Sequence, residues 1–260
     1  MEIVIFRFDR PELERAMVDA VERGVFVHAL IAFTNRGGEK HLRDLESAFL
    51  SKGITVARTA GDLVRYHGKM MIVDRKELYV LAFNFTFLDI DHSRSFGVVT
   101  RNMKQIQEAV RLFEADSKRQ PYSSGNAKFI VSPANARSQL TAFLRGAKKE
   151  LLIYDPKISD PQMLKVLLER MKAKVKIKVI GEVAGKTIDA RRLSGMRLHT
   201  RCIVRDRCEA FVGSQSLRKL ELDSRREIGI IVRDPAVVAT LSKTFSGDWK
   251  ASEKLAARPV

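Results

Sequence analysis

Two short stretches of this 260-residue chain carry an imidazole and a cation two residues apart: His67 with Lys69, and His199 with Arg201. Each pair lies in an apolar, strand-like run, where a period of two puts both side chains on one face. Histidine titrates near neutrality and serves as nucleophile, acid or base. Two imidazoles and two cations in one groove suit cleavage of a phosphodiester. One imidazole attacks phosphorus; the other protonates the leaving oxygen and then deprotonates the incoming water or alcohol. Lys69 and Arg201 would offset charge on the nonbridging oxygens. This chemistry requires no metal or other cofactor, and no ligand spacing points to a metal.

What links the two pairs is an internal repeat. Shifted by 132 residues, Arg65 to Arg101 aligns without a gap on Arg197 to Arg233, with 11 identities in 37 positions. His67 falls on His199, Asp74 on Asp206, Glu77 on Glu209, Arg94 on Arg226 and Gly97 on Gly229. Matching positions, each with a cation at i+2 and an aspartate at i+7, raise these two histidines above His28, His41 and His92, which read as ordinary structural residues.

The elements that must position the pairs repeat as well. Glu2 to Phe6, a helix from about Pro11, then Val25 to Phe33 parallels Glu150 to Tyr154, a helix from about Pro161, then Val175 to Ile180. Each half reads as strand, amphipathic helix, strand, then a hairpin carrying the motif, and each closes on a helix, about Met103 to Glu114 and Pro235 to Trp249. The pattern predicts an α/β fold: two similar lobes with mixed β-sheets, related by a pseudo-twofold axis. The first repeat covers residues 1–117 and the second 128–260, joined by the polar link Ser117 to Ala127. The halves differ in two places. The first has an extra helix, about Lys40 to Ser51, where the second has a glycine-containing loop, Gly181 to Arg197. The second opens on a strand and helix, Lys128 to Lys148, that the first lacks. The chain therefore starts inside its first repeat, its N-terminus reads as incomplete or naturally shortened, and a preceding signal or anchor would lie outside this sequence.

Composition bounds the partners. Net charge is +16 and the isoelectric point about 10.1, which favours anionic ligands: nucleic acid, phosphorylated metabolites or acidic lipid headgroups. No apolar run approaches the roughly 20 residues that span a bilayer, and the opening MEIVIFR reads as a strand rather than a signal peptide. The expected location is cytoplasmic or peripheral at a membrane surface, and the expected state a monomer. Cys202 and Cys208 flank a turn at Asp206-Arg207; a two-residue hairpin there would set Cys202 opposite Phe211, so the two thiols would not pair.

H-x-K-x4-D followed ten residues later by Asn, at His67, Lys69, Asp74 and Asn84, resembles the HKD motif of the phospholipase D superfamily. His199, Arg201, Asp206 and Ser216, with Gly213-Ser214 ahead of the last, resemble a second copy in which Arg replaces Lys and Ser replaces Asn. The run SPANARSQLTAFLRGAKKELLIYDPKISDP is similar to cardiolipin-synthase-like members. The resemblance implies a bilobal α/β fold, a phosphohistidine intermediate and no metal. It implies His67 and His199 as nucleophile and general acid/base in either order, with His67 favoured as nucleophile because its motif is intact. It further implies Asn84, Ser216 and Ser214 as phosphate-binding groups. The family glutamate eleven residues past the Asn is present as Glu227, which would orient an imidazole; its first-half counterpart is Ser95. Asp74 and Asp206, at strand ends, are either turn formers or supports for the site.

The activity expected from this is hydrolysis or transesterification of a phosphodiester, with a phospholipid headgroup as first choice. Phe83, Phe85, Phe87 and Leu88 read either as an apolar lip beside the groove or as core. The alternatives are a metal-independent endonuclease of the same superfamily and a catalytically inactive phosphate-binding module.

Overall fold

The computed structural model describes residues 1–34, 38–185 and 187–254. Two mixed sheets carry the fold. The first runs Thr55–Arg58, His28–Ile31, Glu2–Ile5, Met70–Val73, Glu77–Leu81, Gly97–Thr100; the first three strands are parallel and the rest antiparallel. The second repeats that order and those directions with Ala190–Arg192, Lys176–Val183, Glu150–Ile158, Arg201–Arg205, Glu209–Gly213 and Ile228–Val232. It adds Glu253–Lys254 at one edge and Phe129–Val131 at the other. The expected α/β architecture of two similar lobes is the one observed.

Local chemistry explains where the helices start. Pro11, Pro161 and Pro235 each open a helix, Pro11–Glu22, Pro161–Lys172 and Pro235–Ala251, at the position where a missing N–H costs nothing. Asp160 and Asp234 cap the latter two by accepting from the N–H of Met163 and Val237. Strand alternation then divides the core. Leu152, Tyr154, Cys202 and Val204 of the second sheet join the cluster built by the first sheet, while Leu151, Ile153 and Ile203 face the helices Ala136–Arg145 and Pro161–Lys172. The centre of the second sheet is thus buried on both faces, which is why its central strands are mostly apolar.

The pseudo-twofold is visible in the contacts between lobes. Arg197–Leu198 pairs with Ser93–Arg94, and Arg65–Tyr66 pairs with Arg225–Arg226; each pair is the other shifted by 132 residues. The Arg94 guanidinium reaches across to Asp248, which also accepts from the Tyr154 hydroxyl. Arg226 reaches across to Asp116, which also accepts from Tyr66.

The structure corrects three details. The interval Gly181 to Arg197 is not all loop: the preceding strand runs on to Val183, and Ala190–Arg192 pairs with it as the counterpart of Thr55–Arg58. Lys186 lies outside the described residues, as do 255–260 of the second repeat. Cys202 faces Val212 rather than Phe211. Asp206 and Arg207 both have positive φ, and Cys208 N–H closes the turn on Arg205 O, but Arg205 then pairs with Glu209, so Cys208 is a bulge that shifts the register by one. Cys202 is buried and Cys208 exposed. Finally, His67 and Lys69 are not within a strand; they fill the link between Arg65–Tyr66 and Met70–Val73. No described helix is long and apolar enough to cross a membrane.

Candidate active site

Each histidine follows a two-residue strand that is anchored on the opposite lobe. His67 N–H donates to Arg226 O at 2.7 Å, and His199 N–H donates to Arg94 O at 3.3 Å. The pairing between lobes therefore also brings the histidines together. Gly68 is needed beside His67, because a Cβ there would meet Ile228 Cδ1 at 2.5 Å. The His67 ring packs edge-on against Phe6, with centroids 4.7 Å apart.

Glu227, fully buried on the second lobe, places Oε2 2.8 Å from His67 Nδ1. A proton on Nδ1 satisfies that carboxylate and leaves Nε2 unprotonated, as an acceptor. The Lys69 ammonium, also fully buried, lies 2.9 Å from Nε2 and 3.1 Å from Nδ1. The Ser214 hydroxyl accepts from Ile228 N–H at 3.1 Å and favours the charged form of Glu227. Arg201 donates from Nε to Ser216 Oγ at 2.9 Å and from Nη1 to His199 O at 2.8 Å. Asn84 Nδ2 donates to Asp89 Oδ2 at 2.6 Å, and the same oxygen lies 3.6 Å from His199 Nε2.

The electrostatics follow from burial among cations. Burial first, then Lys69 and Arg201, holds His67 well below the ordinary imidazole value. Burial and Lys69 push His199 down to about 2, against the opposing pull of Asp89. Burial brings Lys69 down to about 7, with Glu227 resisting and Arg201 assisting. Burial raises Glu227, countered in part by Lys69 and Arg201. Both imidazoles are therefore neutral when the site holds no anion. A phosphate entering here offsets Lys69 and Arg201 and so raises both histidines. Among the described residues, Asn84 Oδ1, His199 Nδ1 and Glu227 Oε1 are buried without a hydrogen-bond partner, an unmet capacity that a polar ligand could fill.

Seven of the residues singled out in the sequence thus share one place: His67, Lys69, Asn84, His199, Arg201, Ser216 and Glu227. Asp74 and Asp206 are a strand's length away, in the hairpin turns, both with φ of 52°. Asp206 there accepts from the N–H groups of Lys148, Lys149 and Glu150. Of the aromatic run, Phe85 is core and Phe83 half-buried, whereas Phe87 and Leu88 are exposed. Three buried carboxylates were not anticipated. Asp89 and Glu221 accept from the backbone N–H of Asn84 and Ser216, at 2.9 and 2.8 Å. Asp155, raised to about 7 by burial, accepts from Leu217 N–H and fixes the loop of Ser216. Asp89 and Glu221 were legible: the 132-residue shift places one acid on the other. Asp155 has Arg7 as its counterpart by the flanking alignment and left no such signal. Among the described residues, no group of three or more His, Cys, Asp or Glu is placed to hold a metal ion.

Residues 1–117 and 140–249 match the family model described as "Cardiolipin synthase, PLD-like domain". The chain belongs to the phospholipase D-like family. Its fold is shared by polyphosphate kinase from Porphyromonas gingivalis, with a TM-score of 0.77 and 18% identity over 96% of this chain and 43% of that one. It is also shared by phosphatidylserine synthase from Haemophilus influenzae Rd KW20, with a TM-score of 0.71 and 8% identity over 98% of this chain and 81% of that one. The phospholipase D-like chain thus spans less than half the length of the kinase. No curated protein matches it in sequence.

Proposed function

We propose that this phospholipase D-like protein cleaves a phosphodiester by way of a phosphohistidine at His67. The observation that carries the reading is the Glu227–His67 contact, which fixes the imidazole tautomer with Nε2 unprotonated and facing the Lys69 ammonium, in a ring kept neutral by burial and two cations. Nε2 attacks phosphorus and the P–O bond to the leaving group breaks. The leaving oxygen takes the proton carried by His199. Neutral His199 then takes a proton from water or an alcohol, whose oxygen attacks phosphorus and breaks the P–N bond, restoring His67. Lys69, Arg201, Asn84 and Ser216 surround the phosphoryl oxygens through both steps. Ser214 acts through Glu227, and Asp74 and Asp206 shape the turns that hold the motif strands.

A phospholipid headgroup is the favoured substrate. Phe87 and Leu88 are 57% and 47% exposed on the helix Phe87–Asp91, whose inner residue Asp89 touches His199. Such a rim suits a lipid surface better than water. A second reading, an endonuclease, is favoured by the charge distribution. Residues 1–117 carry 17 Lys and Arg against 17 Asp and Glu, while residues 128–260 carry 28 against 14. That one-sided field would attract a nucleic-acid backbone.

Purified protein incubated in EDTA with labelled phosphatidylglycerol or phosphatidylcholine vesicles, and separately with single- and double-stranded DNA, tests these readings. Headgroup release, lost in His67→Asn, is the expected result. DNA cleavage without headgroup release would support the endonuclease. Activity on neither, with retained phosphate binding, would leave a binding module.

A further inference from the structure

The two imidazoles are not served by equivalent carboxylates. Shifted by 132 residues, the Glu227–His67 contact maps onto Ser95 and His199. Ser95 brings no charge, and its hydroxyl instead donates to Asp89 O at 3.2 Å. The carboxylate that does reach His199 comes from a different element. Asp89 lies in the helix Phe87–Asp91, 2% exposed, with Oδ2 3.6 Å from His199 Nε2. That is ion-pair range for a protonated imidazole and longer than a hydrogen bond.

Asp89 is not free to swing away. Oδ2 accepts from Asn84 N–H at 2.9 Å and Asn84 Nδ2 at 2.6 Å, Oδ1 accepts from Arg197 Nη1 at 2.5 Å, and its own N–H donates to Thr86 Oγ1. Its repeat counterpart is used differently. Glu221 is engaged by Arg218 and Arg225 at 3.3 Å and lies 3.7 Å from Arg201, while Glu227 takes the contact with His67. The charged groups facing His199 are Lys69, Arg201 and Arg197, all cations, and Asp89. Burial raises Asp89, but the imidazolium form of His199 and the hydrogen bonds from Asn84 and Arg197 hold it below the usual carboxylate range, so it is ionised beside a protonated His199.

We propose that Asp89 is the positioning residue that stabilises the His199 imidazolium, from the Nε2 side rather than the Nδ1 side that Glu227 takes on His67, where position 95 offers no carboxylate. Like Glu227 on His67, it acts across the interface between lobes, so each imidazole takes its carboxylate from the other half. The inference rests on reading the His67–His199 pair as the reacting site. An adjacent anion favours the protonated ring, the form that His199 must hold to act as the acid of that reading.

The test compares wild type, Asp89→Asn, Asp89→Glu and the double variant Asp89→Asn/Ser95→Glu on two diesters, one leaving as p-nitrophenolate and one as an alkoxide. An activated phenolate needs little protonation, whereas an alkoxide needs the acid. For Asp89→Asn we expect kcat to fall about 100-fold on the alkyl diester and under about 10-fold on the p-nitrophenyl diester, with KM little changed. Asp89→Glu should retain most activity, and Ser95→Glu should restore about 10-fold or more to the alkyl reaction. Equal losses on both diesters, or no recovery with Ser95→Glu, would overturn the inference. A second readout needs no turnover: the 15N titration of His199 in the presence of inorganic phosphate. It should move to lower pH in Asp89→Asn and return in the double variant, while an unmoved titration would overturn the proposal. If wild type cleaves neither diester, the proposed function fails, and this titration alone decides the role of Asp89.

Discussion

Glu227 and His67 belong to different lobes, yet Oε2 of one lies 2.8 Å from Nδ1 of the other, with both side chains buried. The contact makes the first-lobe motif dependent on the second lobe. Glu227→Gln keeps the shape and loses the charge that holds the Nδ1–H tautomer. It should lower kcat by roughly 10²- to 10⁴-fold with little change in KM. Steady-state kinetics on a soluble diester check this; a change confined to KM would show that Glu227 contributes to binding instead.

Lys69 predicts a pH dependence of opposite sign for activity and stability. Burial sets its folded value at about 7, below the unfolded lysine value. A phosphate-facing ammonium is therefore lost as pH rises through about 7, and kcat/KM should fall there. Between that pH and about 10.4 the unfolded chain binds the extra proton, so stability rises with pH across the same window. Lys69→Arg should carry the alkaline limb of kcat/KM upward, and Lys69→Met should remove this contribution to the stability slope. Rate profiles and urea midpoints at pH 7 and 9 measure both.

Gly68 tests the local backbone. A Cβ there would lie 2.5 Å from Ile228 Cδ1 and 2.7 Å from Cγ1, so either the loop or the fully buried Ile228 has to shift. Gly68→Ala should displace His67 and Lys69 and cost activity more than stability. Ile228→Val deletes the nearest atom, so the double variant should recover part of the lost rate. Equal activity in the single variant and wild type would show that the loop yields freely.

The ion pairs between lobes predict a contrast in stability. Asp116 and Arg226 are almost wholly buried, and Asp116→Ala leaves a guanidinium unpaired in the interface. The loss should be about 3–5 kcal/mol, read from the urea midpoint. Removing Glu77, whose partner Arg101 is 81% exposed, should have little measurable effect.

Much of this was legible because the repeat samples the fold twice. One register, held without a gap from Arg65 to Arg101, predicted the lobes, their pseudo-twofold and the meeting of His67 with His199. The same register held Asp89 and Glu221, but acids five residues past Asn84 and Ser216 read as surface until those residues are seen to be their backbone partners. The Cys208 bulge was hidden because a positive-φ pair at Asp206-Arg207 fits a plain two-residue hairpin equally well in sequence. Ala190–Arg192 was missed because a three-residue strand with two arginines lacks the apolar alternation that marks an interior strand. Asp155 lacks a repeat signal because the first lobe has Arg7 in its place.

The central claim is a covalent phosphohistidine on His67, made in a site that both lobes complete. Rapid quenching of the protein with a diester carrying labelled phosphorus, followed by peptide mapping under alkaline conditions, tests it most directly. The account predicts label on His67, absent in His67→Ala and Glu227-dependent in amount. With the p-nitrophenyl diester, label should accumulate in His199→Ala because the second step lacks its base. Label on His199, or full turnover in His67→Ala, would contradict the account.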